Sequence, residues 1–329
     1  MATLAETHPT LIDIGRRMDP DGTIAQVIEM MAQTNEMLTD MVMLEGNLPT
    51  GHQSTVRTGL PTATWRKLYG EVLPTKSTTA QVKDTCGMLE TYAEIDVDAA
   101  KLNGNTDAWR LSENSAFIEG LNQQMQTAML YESEASNPER ITGFDQRFNS
   151  QSAANGENIL TSAATPDGSD NTSIWLVVWG PNTVHGIYPK GSQAGILVED
   201  KGQQTKESST GMYEVYRTRY QWKAGLAVRD WRYVVRINYD LEDIVKDAST
   251  GPDLISLMAK AIRRVPNLRM GRPAFYLNRD SWDAFDLQCN NRTTLGYTTT
   301  YDAQGIATDR FRGVPLRRCD AILSTESGI

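Results

Sequence analysis

Cysteine is scarce in this chain: Cys86, Cys289 and Cys319 are spread through 329 residues. An odd number at such separations gives neither a disulfide framework nor the close ligand spacing of a zinc site, so all three read as ordinary packed or half-exposed thiols. Histidine is equally sparse. His8, His52 and His185 lie in unrelated segments with no His-x-x-x-His or His-Glu pairing, which leaves metal and triad chemistry without candidates. No glycine-rich loop ends in Gly-Lys-Ser/Thr, and the glycines from Gly180 to Gly195 lack the strand, loop and helix context of a phosphate cradle. Long apolar runs are missing as well. The longest, Ile174 to Trp179, falls far short of the roughly 20 residues that cross a bilayer. Met1 to Asp13 has no basic segment followed by an apolar one, so it does not read as a secretory signal. An excess of positive charge is also lacking: 32 Lys and Arg stand against 41 Asp and Glu, a net charge of −9. A protein whose main task was gripping phosphates would carry the opposite balance. We expect a folded protein made and used in a cytoplasm, with no membrane partner, no cofactor, no metal and no catalytic residues.

What is present divides into segments. From Asp21 to Glu45, Ile24, Val27, Ile28, Met31, Met37, Leu38, Met41 and Val42 fall mostly at three- and four-residue spacings, predicting an amphipathic helix capped by Asp21 and ended by Gly46. It reads as a core helix or as an arm on a neighbouring subunit. Leu48 to Leu89 is rich in Thr, Gly and Pro, with strand-like pieces at Gln53 to Thr58, Trp65 to Leu73 and Thr79 to Lys83. With too few apolar residues for a core of its own, it reads as a long protruding hairpin. Trp65 and Leu68 are its best anchors for a neighbour, because large apolar side chains on a protrusion otherwise face water.

Tyr92 to Asp98 alternates strictly, with Glu94, Asp96 and Asp98 on one face, and predicts a half-buried strand with a solvated acidic side in preference to a cation site. The longest helical pattern, Asp107 to Ala135, carries Trp109, Leu111, Ala116, Phe117, Ile118, Leu121, Met125 and Met129 on a broad apolar face, with Glu113, Glu119, Gln123 and Glu132 outward. Gly143 to Ser173 reads as loop. Strands are predicted at Ile174 to Trp179, Gly186 to Tyr188, Ala194 to Glu199, Tyr213 to Trp222 and Ala224 to Tyr239, the last two parted only by Lys223. Asp253 to Val265 reads as a helix, Pro273 to Leu277 as a strand, Arg279 to Gln288 as a helix opened near Asn278, and Gly313 to Thr325 as a strand with a turn. Asp283 and Asp286 on that helix read as surface charge before they read as an acid and base pair.

In the paired long strands Arg217, Arg219, Lys223, Arg229, Arg232 and Arg236 interleave with Tyr216, Tyr220, Trp222, Trp231 and Tyr233. Such a sheet can meet a neighbouring subunit, face solvent, or stack bases and track phosphates as a nucleic-acid-binding module. Two-faced alternation produces this interleaving by itself, and the acidic net charge disfavours the last reading. Candidate intersubunit contacts are therefore Trp65, Leu68, Arg217, Arg219, Arg229, Arg232 and Arg236.

In this order of segments the chain resembles the capsid fold named after bacteriophage Hong Kong 97. "PAFYLNRDSWDAF" at Pro273 to Phe285 is similar to that family's axial-domain strand and helix, and "GVPLRRCDAI" at Gly313 to Ile322 to its Gly-x-Pro strand. The resemblance implies an α+β fold with an N-terminal arm at 1–47 and an E-loop hairpin at 48–89. It further implies a peripheral strand and spine helix at 90–142, loops and long antiparallel strands at 143–245, and axial helices and strands at 246–329. In the usual family order the axial stretch and the Gly-x-Pro strand precede the long hairpins. Here "YEVYRTRYQWKAGLAVRDWRYVV" comes first, an order that resembles the capsid protein of a short-tailed Bordetella phage. The implied function is a major capsid protein of a tailed double-stranded DNA phage, located in the virion and assembled in the host cytoplasm. The implied partners are copies of itself in hexamers and pentamers, a separate scaffolding protein, a portal, a possible cement protein, and packaged DNA held without sequence-specific contacts. An encapsulin-like compartment is the alternative within the fold. No motif marks Lys67, Lys76 or Lys83 as the partner in a covalent cross-link, so a non-covalent shell is expected.

Overall fold

The computed structural model describes residues 33–101, 106–162, 170–208, 211–244, 251–290, 297–301 and 307–329. Helix α1 spans Glu36–Asp40 and strand β1 spans Met43–Glu45. The helix expected through Glu45 is thus corrected at its end, while residues 21–32 of it lie outside the described residues. The strand prevails because Met43 to Glu45 pair in parallel with Gly186 to Tyr188. A side chain at position 186 would collide with the sulfurs of Met43 and Met41, so glycine there lets the methionines close onto the sheet.

β2 (Gly51–Gly59) and β3 (Thr78–Asp96) pair antiparallel from Gly51 opposite Thr85 to Gly59 opposite Thr78. The strand-like piece expected at Trp65 to Leu73 is instead an unpaired excursion with a turn at Leu68 and Tyr69, because no neighbouring strand satisfies its backbone. The acidic strand ends at Asp96, not Asp98: the Asp96 carboxylate accepts the N–H of Asp98 at 2.8 Å and opens helix α2 (Val97–Lys101). Helix α3 (Thr106–Tyr131), 26 residues and so about 39 Å long, is the predicted spine. Its apolar face is narrower than expected, since Leu111 and Ile118 are exposed while Leu121, Met125, Met129 and Leu130 are buried. The side chains of Trp109 and Glu113 lie outside the described residues.

Next come α4 (Phe144–Arg147), β4 (Ile159–Thr161), β5 (Asn171–Trp179), β6 (Val184–Tyr188), β7 (Ile196–Ser208) and β8 (Gly211–Val228). The break expected at Lys223 falls at Arg229 and Asp230. Trp222 still pairs with Ile196 and Gly225 with Ile187, so the ladder carries β8 through Lys223. The Asp230 side chain then accepts the N–H of Arg232 and caps a 3₁₀ turn, Trp231–Tyr233, before β9 (Val234–Asp240). α5 (Leu254–Arg264) is capped by Asp253, whose carboxylate accepts the Ser256 N–H at 3.1 Å. After β10 (Arg272–Leu277), α6 (Arg279–Asn290) is capped by Asn278, which accepts the Ser281 N–H at 2.8 Å. β11 (Tyr297–Tyr301), β12 (Ala307–Phe311) and β13 (Val314–Arg318) complete the elements.

The chain divides into two compact units. One includes Met88–Gln126 and Gly195–Lys223. It joins the β7/β8 hairpin, bulged between Asp200 and Gln203, to a small core in which Ala93, Leu121 and Tyr220 are buried and Phe117 stacks on Tyr220. The other comprises Asn35–Gly87, Thr127–Ala194 and Ala224–Ile329 and holds the main core. There β5 lies between β9 and β10, antiparallel to both, and β13 runs parallel to β10. α5 and α6 cover this sheet with Leu254, Leu257, Met258, Ala261 and Phe285. Every residue of β5 is buried, as a central strand covered on both faces requires.

Candidate assembly surfaces

The hairpin is the most exposed apolar feature. From Leu60 to Ser77 it has no ladder. Its internal ties include Gly70 N–H to Lys67 O at 3.1 Å and Thr75 Oγ1 to Thr62 O at 3.0 Å. Trp65 is 101% exposed and Leu68 87%, with Leu60, Tyr69 and Leu73 similarly bare. Lys67, Lys76 and Lys83 are exposed along it.

The base of the hairpin is polar and buried. His52 on β2 and Asp84 on β3 are register partners. Asp84, 2% exposed, is held by Arg147 at 2.8 Å, and Arg229 reaches His52 Nε2 at 2.8 Å and Pro181 O at 3.1 Å. His185, fully buried, meets the His52 ring edge-on at 5.7 Å. Burial first, then the charge of Arg229, lowers the pKa of both imidazoles, that of His185 to about 4.

The arginines of the long strands are engaged within the chain. Arg217 bonds Glu94 at 2.7 Å, and Lys206 pairs with the same carboxylate. Burial raises the pKa of Glu94, but the two cations outweigh it and leave the group lowered. Arg219 grips Glu90 in a fork at 2.8 and 3.0 Å. That fork, then hydrogen bonds from Tyr92 and Gln221, bring Glu90 down to about 2. The acidic face of β3 is thus spent on its own neighbours, and among the described residues no group of three or more His, Cys, Asp or Glu is placed to hold a metal ion. Arg232 is exposed but turned onto Asp230 at 2.7 Å.

Arg236 requires correction as an intersubunit candidate. It is 1% exposed, and its guanidinium bonds Glu326 at 2.7 Å, Asp145 at 2.7 Å, Ser173 Oγ at 2.9 Å and Phe148 O at 2.8 Å while lying 5.0 Å over the Trp175 ring. Ser173 also donates to Glu326, and the Tyr131 hydroxyl donates to the other Glu326 oxygen at 2.5 Å. Two-residue alternation placed Arg236 on a face but could not say that α4 and Glu326 cover that face. The sequence reading also passed over Glu326, Asp145, Asp84 and Arg147. Asp84 lies within the long strand β3, Asp145 and Arg147 on the single turn of α4 and Glu326 in an irregular segment, and only the tertiary pairing gives them partners.

Among the described residues no helix is long and apolar enough to cross a membrane. A large mixed sheet with packed helices and a long exposed hairpin make up an α+β subunit. A family model, that of the major capsid protein GP7, matches residues 19–329, and the chain belongs to this family. It is a structural capsid protein of a bacteriophage, a component of the virion shell and not an enzyme. It is 34% identical to a chain from the near-atomic structure of bacteriophage Epsilon15, over 100% of this chain and 99% of that one, with a TM-score of 0.79. The capsid of a native GTA particle is also similar, at 10% identity over 69% of this chain and 96% of that one, TM-score 0.46. So is the SrpI encapsulin complex of Synechococcus elongatus, at 10% identity over 72% and 91%, TM-score 0.41. Among curated proteins there is no match.

Proposed function

We propose that copies of this subunit assemble, as hexamers and pentamers, into the closed head of a tailed phage around double-stranded DNA, with the hairpin as the element that reaches a neighbour. The observation that carries this is the exposure of Trp65, Leu68, Tyr69 and Leu73 on a protrusion whose residues add almost nothing to their own subunit's core. Large apolar side chains held in water are stabilised by a partner, and an extension of this kind gains its order on assembly. The hairpin acts as the E-loop, the Met88–Gln126 and Gly195–Lys223 unit as the peripheral domain, and the α5, β10 and α6 region as part of the axial domain. The segment order is permuted, since β8 and β9 precede the β10 and α6 stretch in the chain, in the manner of the short-tailed Bordetella phage capsid. A separate scaffolding protein and a portal complete the assembly, which takes place in the bacterial cytoplasm. Arg217, Arg219, Arg229 and Arg232 act in this scheme by shaping the contact faces through their internal pairs. Gly59 and Thr78 are register partners, so the tip between them can be replaced by a short Gly-Ser linker without stretching the chain. The expected result is a subunit with unchanged thermal unfolding and no particles in electron micrographs. Normal shells from the truncated subunit would remove the hairpin from assembly.

A further inference from the structure

Between Asp253 and Asp280 the sequence carries six cations and no acid in 26 residues, in a chain with 41 acids over 329 positions. At the chain's average, about three acids would fall there. Five of the six cations lie within 13 residues. Lys260, Arg263 and Arg264 occupy the last turns of α5 at three- and four-residue spacing, opposite the buried Leu254, Leu257, Met258 and Ala261, and all three are exposed. Arg269 follows in the 3₁₀ turn Leu268–Met270, whose shape is fixed by the Asn267 side chain accepting the Arg269 N–H at 2.9 Å. Arg272 opens β10. The turn is seated against the Trp179–Gly180 end of β5, where the Met270 carbonyl lies close to Gly180. The strip is therefore carried on packed elements and not on a free loop.

Among the described residues the ion pair made by this strip is that of Arg264 with Glu157, at 3.6 Å and open to water on both sides. Helix-end cations complement the helix dipole, which accounts for Arg263 and Arg264 but not for Arg269 and Arg272. Protein interfaces place aromatic anchors among their arginines. Here the large apolar side chain exposed beside the cations is Met270. Guanidinium forks with no aromatic centre and no acid among them suit a regular array of phosphates.

We propose that Lys260, Arg263, Arg264, Arg269 and Arg272 form a contact strip for the sugar-phosphate backbone of duplex DNA, without base readout. Asn267, the one side-chain amide among them, is occupied in its own turn. Contacts of this kind position a duplex without selecting its sequence. Each subunit supplies a weak contact, and a shell multiplies it over many copies. The proposal rests on the reading that the shell encloses DNA, and the experiment keeps the two apart.

The unassembled full-length subunit is titrated with a fluorescein-labelled random-sequence 30-base-pair duplex, by anisotropy, across a series of KCl concentrations. Particle yield is scored separately by electron microscopy. Each phosphate contact contributes about 0.9 to the slope of log K against log salt. The variant Arg263→Gln, Arg264→Gln, Arg269→Gln, Arg272→Gln should therefore lose about 3 to 4 from that slope and bind at least tenfold more weakly at low salt. Arg→Lys at the same four positions should keep the slope, and Lys67→Gln with Lys76→Gln in the hairpin should leave it unchanged. An unchanged slope in the Gln variant overturns the strip. So does an equal loss in the hairpin variant, or tighter binding of a poly-glutamate peptide than of the duplex. Particle yield is read independently: particles that form normally while the slope falls are the expected result, and loss of particles with an intact DNA slope would overturn the strip and make these cations a contact between subunits instead.

Discussion

β5 and the tip of the hairpin both carry large apolar side chains, and their fates are opposite. Trp175 and Trp179 on β5 are at most 1% exposed, while Trp65 on the hairpin is fully in water. The hydrophobic effect acts on both with about 25 cal/mol per Å² of apolar surface. On β5 that surface is removed by the flanking strands β9 and β10 and by Phe144 of α4 and Phe148 just after it, both in ring contact with Trp175. On the hairpin no part of the subunit does so. Stability of the monomer and capacity for assembly are therefore housed in different stretches of one chain, and substitutions can address them separately.

The largest effect is expected at the ion cluster under β5. Arg236→Ala removes the cation that compensates the buried Glu326 carboxylate, and an unpaired buried charge costs about 3–5 kcal/mol. Urea unfolding of the variant should show this loss, and a change below about 1 kcal/mol would show that the cluster is replaceable and that β5 owes its order to apolar packing alone.

A smaller, pH-dependent effect is expected at the hairpin's base. His185 has a folded pKa lowered to about 4 from 6.5, so the unfolded chain binds the extra proton between these values. Stability is fully present above pH 6.5 and declines as pH falls toward 4. His185→Gln should flatten that part of the profile. Glu90, lowered to about 2, acts in a separate window: its contribution is present above pH 4.5 and is lost as pH falls toward 2. A wild-type profile that is level from pH 6.5 to 4.5 would show that His185 does not govern the base.

The smallest effect on the monomer is expected at the hairpin's tip. Trp65→Ala together with Leu68→Ala should change monomer stability by no more than about 0.5 kcal/mol each, as for surface positions generally, while particle yield falls sharply. Chemical denaturation beside sedimentation of the assembly mixture reads both quantities. A monomer loss of 2 kcal/mol or more would place the two side chains in their own subunit's core and erase the contrast with β5.

Much of the architecture could be read along the chain. Periodicity located α3, α5 and α6, continuous apolar runs located β5 and β10, and Asn278 marked the opening of α6. Thr, Gly and Pro with few apolar residues were enough to mark the hairpin. The failures share one cause. Met43 to Glu45 left the helical pattern because a strand edge with a glycine at 186 was available to them. β8 ran past Lys223 because its neighbours continued the ladder, and Trp65 to Leu73 failed to become a strand because none was beside it. Backbone hydrogen bonds to distant segments outweigh local preferences of a few tenths of a kcal/mol per residue.

The same division holds for the surfaces. Two-residue alternation fixed which arginines share a face, and composition fixed that the hairpin had no core of its own. Whether a face is open is decided by what covers it. Arg236 lies under α4 and Glu326, Arg217 and Arg219 on the carboxylates of β3, and Trp65 under nothing in its subunit. Local sequence sets the spacing and chemistry of side chains, because those follow from backbone period. Burial and pairing belong to contacts between residues far apart in the chain, as with Arg236 and Glu326, and these exist only once the tertiary structure has brought them together.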